Sequence, residues 1–249
     1  MFISNIMDEI QGSLFSRKEL YKMAHDAKGN SNLLRLIPEK NRRKIMDANM
    51  HLMQGMEFEN GFPILKPYVG PTDFSIVSYT DRKKNSGEGQ ALHFFLDDFR
   101  FRDPLWFNLS YTTYSISNYD FVFTPDFSLW RNLKTDFPNM ENIYRTRFVG
   151  AYWQICGFDV IPTASWGGLN SFSFCFNGLP HGGVIAVSGM GARKDAFSFE
   201  RWCYGLRRLE EERHPSLILI YGEEVEIPSL TTPIQFLPCY ISKHFRNGK

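Results

Sequence analysis

What the chain lacks narrows the field first. Its four cysteines, Cys156, Cys175, Cys203 and Cys239, lie far apart and form no CxxC pair. Such spacing offers neither a zinc site nor a disulfide framework in a chain of 249 residues. It points to a reducing compartment. The six histidines form no HxH or HExxH pattern, which argues against zinc chemistry or a histidine base. The opening stretch MFISNIMDEIQG reaches Asp8 and Glu9 without a basic start, unlike a secretory signal. Nowhere does an apolar run approach the about 18 residues of a membrane span. The expectation is a cytoplasmic protein with no membrane partner. Net charge is only +1, so the whole molecule has no strong field for polyanions. Internal repeats and low-complexity tracts are absent too.

What is present is apolar material. Hydrophobic residues make up 43% of the chain and aromatics 16%, enough for a large buried core. Residues 1–70 differ in character from the remainder. SRKELYKMAHDA and IPEKNRRKIMDANMHLMQGM carry helical spacing, and between Arg17 and Asp47 nine Lys or Arg face four Asp or Glu. This segment reads as helical and locally basic, its charges a solvated face or a contact surface for nucleic acid or protein. Residues 71–249 read as a parallel α/β core domain.

Short apolar runs recur along that core at Leu92–Leu96, Phe121–Thr124, Asp159–Pro162, Val184–Val187 and Leu217–Tyr221. Their spacing suits strand–helix–strand units, and their lack of alternation suits strands buried on both faces. A sixth strand fits near Phe74–Tyr79 or near Ile234–Cys239. Two helices are well marked. One, after Pro138, carries Met140, Tyr144, Phe148, Ala151 and Ile155 on one stripe, with Asn139 as its cap and Gly157 as its stop. The other carries Phe199, Trp202, Cys203, Leu206 and Leu209, with Asp195 as its cap and Pro215 as its limit. The expected fold is α/β: a parallel sheet of at least five strands with flanking helices, either an incomplete barrel or an open doubly wound sheet, plus the helical N-terminal segment.

In parallel α/β folds, ligands sit beyond the carboxyl ends of the strands. Asp97 and Asp98 follow the first run, Asp126 and Ser128 the second, Thr163, Ser165 and Trp166 the third, Ser188 to Lys194 the fourth, and Tyr221, Glu223 and Glu224 the fifth. Adjacent residues on an extended chain face opposite ways, so only one of Asp97 and Asp98 can face a shared site, and Asp98 is preferred. Asp98 and Asp126 could then hold Mg²⁺ or Mn²⁺ through hard oxygen ligands. The bland alternative is a strand that ends in water.

SGMGARKD is the second candidate. A glycine-bearing turn before a helix exposes N–H groups, and Ser188, Gly189, Gly191, Arg193 and Lys194 could cradle a phosphate. It lacks the GK[ST] of a P-loop and the GxGxxG of a dinucleotide site. Ser165 and Trp166 would line the pocket, although Trp166 and Phe127 also suit a core. Arg145 and Arg147 flank the stripe of their helix and read as solvated. Cys156 has no activating neighbour.

FFLDDFRF, FTPDFSLW, YWQICGFDVIPTASWG, FCFNGLP, IAVSGMGARKD and LILIYG, in that order, resemble the domain of unknown function 4417 family. The resemblance covers residues 92 to 225, with GFPILKP as a further candidate. It implies a protein of bacteria, mobile elements or phages. It carries no activity and no catalytic residues. Two functions fit the residues: a metal-assisted enzyme acting on a phosphate-bearing substrate such as a nucleotide or nucleic acid, or a non-catalytic protein that binds nucleic acid or another protein through its N-terminal helices.

Overall fold

The computed structural model describes residue 49 and residues 52–238, apart from the side chain of Arg193. The helices expected in the first 48 residues, and Cys239, lie outside the described residues. Residues 58–63 form no helix. They make a hairpin of β1 (Phe58–Glu59) and β2 (Phe62–Pro63), paired antiparallel. Asn60 and Gly61 between them both have positive φ, 50° and 85°, the backbone that a two-residue hairpin turn demands.

The remaining strands among the described residues run parallel. β3 (Ser75–Ser78), β4 (Gln90–His93), β5 (Phe121–Phe123) and β6 (Asp159–Ile161) form one sheet in that order. β7 (Thr163–Ala164), β8 (Val184–Ser188), β9 (Leu217–Tyr221) and β10 (Ile234–Leu237) form a second. The single sheet of five or more strands is therefore corrected to two sheets of four. Pro162 is the reason. It has no N–H and interrupts the strand that would belong to both sheets, so β6 pairs only with β5 and β7 only with β8. The chain stays stitched across the break: Ala186 N–H donates to the Pro162 carbonyl at 2.8 Å, and the hydroxyls of Thr124 and Thr163 meet at 2.6 Å.

The first predicted strand is displaced. β4 starts at Gln90 and ends at His93, so His93 closes the strand rather than opening it. Phe94 and Phe95 leave the ladder because Leu96 N–H turns back to the Phe94 carbonyl. Both candidate extra strands are real, as β3 and β10.

Helices cover the outer faces. After β4 come α1 (Arg102–Phe107) and α2 (Leu109–Ser115), after β5 comes α3 (Phe137–Ile155), and after β8 comes α4 (Ala196–Arg213). Alternation along the strands sorts three cores. Val77, Leu92, Val122 and Val160 point outward onto α1, α2 and α3 with Trp153 and Phe148. Ile185, Val187, Ile218 and Ile220 point outward onto α4. Ala91, Phe123, Ile161, Ala186, Leu219 and Leu237 point inward to a third cluster drawn from both sheets, with no residue of these four helices in it. Gln235 reaches from β10 to the Thr72 carbonyl just before β3, at 2.9 Å.

Asp195 caps α4 as expected, accepting from Ser198 N–H at 2.7 Å, and His214 ends the helix in the left-handed region. On α3 the cap is different. The helix starts two residues earlier, at Phe137, with Pro138 in its first turn, and Asn139 lies inside it. Asn139 is instead clasped to Trp130, donating to its carbonyl and accepting from its N–H. Arg147 is not solvated. It is fully buried and donates to the carbonyls of Asn177, Thr163 and Cys175. That desolvation lowers its ordinary value to about 9.

Candidate functional site

The carboxyl ends of β4 and β5 and the start of α3 converge on one polar cluster. The segment after β4 tightens into a 3-10 turn at Asp98–Arg100, which separates the two aspartates. Asp97 points to solvent, 73% exposed, within 3.7 Å of Arg100. Asp98 turns inward and is only 16% exposed. Its Oδ1 accepts from the Ser128 N–H at 3.0 Å and from the Ser128 hydroxyl at 2.8 Å. Its Oδ2 is buried without a hydrogen-bond partner, 3.6 Å from the Arg102 guanidinium.

Asp126, three residues beyond β5, is half-buried beside Asp98 and is hydrogen-bonded to Ser165. Burial, and then the charge of Asp98, push its carboxyl up to about 7, with the Ser165 bond acting the other way. Two carboxyls in one site cannot both ionise freely.

Asn142 of α3 ties the cluster together. Its amide nitrogen donates to the Ser128 carbonyl at 2.7 Å, and its oxygen accepts from Arg102 at 3.1 Å and Arg145 at 2.9 Å. Arg145 also pairs with Glu141 at 2.6 Å. It is 13% exposed, not solvated as its place on the helix suggested. Burial holds it below its ordinary value. The Nε atoms of both Arg102 and Arg145 are buried without partners. Three orphaned polar atoms thus sit on residues sharing Asn142 or Asp98, where a native core leaves few.

The other predicted residues divide. Ser165 joins the cluster through Asp126. Trp166 does not line it: its ring lies 6.4 Å from Phe172 and 6.1 Å from Phe176, over Gly205 of α4. Ser188 to Lys194 forms the β8–α4 connection, with Gly191 at φ 72°. Gly189 N–H donates to Tyr221, Met190 N–H to the Ser188 hydroxyl, Ala192 N–H to Gly189 and Lys194 N–H to Gly191. Most of the cradle's donors are therefore spent inside the fold, and the Asp195 carboxylate already occupies the start of α4. The side chain of Arg193 is not described; Lys194 is exposed. No hydrogen bond among the described residues links this loop to Asp98 or Asp126. The nearest tie is Arg131, from the β5–α3 segment, which donates to Ser198 at 3.0 Å.

Arg102, Asn142 and Arg145 do not stand out as site residues in the sequence. Arg102 stands four positions after Asp98 and Arg145 three after Asn142, spacings that place side chains together. Among the described residues, no group of three or more His, Cys, Asp or Glu stands together to hold a metal ion. No helix among them is long and apolar enough to cross a membrane.

Residues 56–236 match the family described as Domain of unknown function (DUF4417). The chain belongs to that family. The match extends beyond the 92–225 motif region and takes in the β1–β2 hairpin, β3 and β10. The Gene 1 protein of Mycobacterium phage L5 is 39% identical over 175 residues, 68% of this chain and 75% of that protein. The Gene 1 protein of Mycobacterium phage D29 is 42% identical over 134 residues, 54% of this chain and 49% of that protein. No solved structure matches. These two relatives are phage proteins, and the region matched by the family contains every residue of the polar cluster.

Proposed function

We propose that the Asp98–Asp126 cluster is an acid–base site acting on a phosphate-bearing substrate, a nucleotide or a nucleic-acid end, at the mouth of an incomplete barrel formed by the two sheets. One observation carries this reading: Arg102 and Arg145 hold buried Nε–H groups without acceptors, beside an aspartate fixed by Ser128. A phosphate oxygen supplies the acceptors that two such guanidinium groups lack. Asp98 is held by two donors and faced by Arg102. Asp126, held near 7, is the group able to give and take a proton around neutral pH.

A variant of this reading places Mg²⁺ or Mn²⁺ between Asp98 and Asp126, and the orphaned Asp98 Oδ2 favours it. Magnesium often takes only one or two carboxylates and completes its shell with water and substrate phosphate. A different reading, a non-catalytic protein that binds a nucleic acid or protein, draws on the large exposed side chains in the same carboxyl-end loops: Phe99, Trp130, Phe137 and Phe197.

Thermal unfolding in the presence of inorganic phosphate, nucleotides and short single-stranded oligonucleotides, each with and without Mn²⁺, separates these readings. A phosphate-bearing ligand at about 100 times its dissociation constant adds roughly 2.7 kcal/mol. The shift should vanish in Arg145→Gln. Dependence on Mn²⁺ that is lost in Asp126→Asn supports the metal variant; a shift indifferent to metal supports plain acid–base chemistry. A shift with oligonucleotides that survives Arg145→Gln and fades steeply with salt supports the binding protein. No shift with any of these ligands would contradict the phosphate-bearing substrate.

A further inference from the structure

At the opposite end of the strands, the β1–β2 hairpin, the segment before β8 and the last residue of α4 border an open cleft of about 560 Å³. That is the size of a small-molecule site. Its walls are apolar: Phe58, Ile64, Leu65, Pro67, Leu179 and Pro180. Asn60 and the trio Glu59, His181 and Arg213 supply the polar part. Arg213 is 6% exposed and has a buried Nε without a partner.

These three residues are fixed on one another. Glu59 Oε2 accepts from Arg213 Nη2 at 2.9 Å and from the Gly178 N–H at 2.6 Å, while among the described residues Oε1 accepts only from Arg213 Nη1, at 3.2 Å. Arg213 Nη1 also lies 3.3 Å from His181 Nε2. Nη1 also donates to the Leu179 carbonyl at 3.1 Å, so its two hydrogens serve three acceptors. A guanidinium can only donate, so His181 meets it through the Nε2 lone pair and leaves Nδ1–H as the ring's donor. Glu59 Oε1 keeps spare acceptor capacity on a side chain one-third exposed.

Charge then restricts the ligand. Glu59 and Arg213 neutralise each other, so an anion would have to displace Glu59 from Arg213. A cation would meet Arg213 with its counter-charge already engaged. Burying either charge unpaired is costly. The apolar walls favour an apolar body.

We propose that this cleft binds an uncharged planar heteroaromatic molecule whose edge offers an N–H donor to Glu59 and an acceptor to His181, as a free nucleobase, nucleoside or aromatic carboxamide does. The site is separate from the Asp98–Asp126 cluster and does not depend on its function.

Saturation-transfer NMR on the full chain with adenosine, guanosine, cytidine, uridine and nicotinamide tests it. At least one should show transfer to its ring protons. His181→Ala removes the donor at an exposed position, and Ile64→Arg places a charge on the rim; each should weaken binding at least tenfold while leaving the melting temperature unchanged. Asp126→Asn should leave binding intact. The proposal is overturned if none of the five binds. It is equally overturned if binding survives both cleft variants, or is lost in Asp126→Asn instead.

Discussion

A carboxyl that holds its proton near neutrality is where pH should act on this molecule. Asp126 is raised from 3.8 to about 7, so between those values the folded chain binds more protons than the unfolded one. Stability contributed by this group is then greatest on the acid side, falls as pH rises through that interval, and levels off above it. Asp126→Asn should flatten this slope and raise stability at pH 8 by about 1–3 kcal/mol. Denaturant unfolding of both proteins across pH 4 to 8 checks this; parallel curves would refute it. Arg147 gives a second test. Arg147→Met leaves the carbonyls of Asn177, Thr163 and Cys175 without a donor and should cost about 2–4 kcal/mol. That one of the two adjacent aspartates turns inward is legible in the sequence; that it is Asp98 is decided by the 3-10 turn beyond the end of β4. Arg145 and Arg147 are not. Their places on one helix show spacing but not the strand ends and loop carbonyls that cover both.

Elements whose signals are local are readable, and those fixed by distant partners are not. Asp195 caps α4 through a residue three positions away, so spacing alone reveals it. Asn139 looks like the same kind of cap but spends its amide on Trp130, across the loop. β3 and β10 run at the margins of their sheets, with several half-exposed residues, and leave a fainter apolar trace than β8 or β9. α4 carries a sharper requirement. A Cβ at Gly205 would sit 2.0 Å from the Trp166 ring, so the helix meets the loop after β7 only because that side chain is absent. Gly205→Ala should cost about 1–3 kcal/mol despite its better helix propensity. Asp195→Ala should lower the melting temperature through the lost cap. Thermal unfolding measures both, and a neutral Gly205→Ala would show that Trp166 packs elsewhere.

At the scale of the molecule, the parallel strands and their outer helices are evident from apolar runs spaced by helical segments. The division into two sheets is written in DVIPTA, at the proline, but a proline between apolar residues also suits a strand end. Only the pairing of β6 to one neighbour and β7 to another decides it. The two sheets and their helices bring together Asp98 from the turn after β4, Arg102 from the start of α1, Asp126 and Ser128 from the loop after β5, Ser165 from the loop after β7, and Asn142 and Arg145 from α3. Within this assembly, the claim that matters is that Asp98 and Asp126 share one site, where burial and the Asp98 charge hold the Asp126 carboxyl near 7. Carbon-detected NMR titration of the aspartate carboxyls in the wild type and in Asp98→Asn tests it directly. One carboxyl titrating near pH 7 in the wild type, and moving to lower pH when Asp98 is neutralised, is the expected result. If Asp126 titrates with the ordinary aspartates, or does not respond to Asp98→Asn, the acid–base site is wrong.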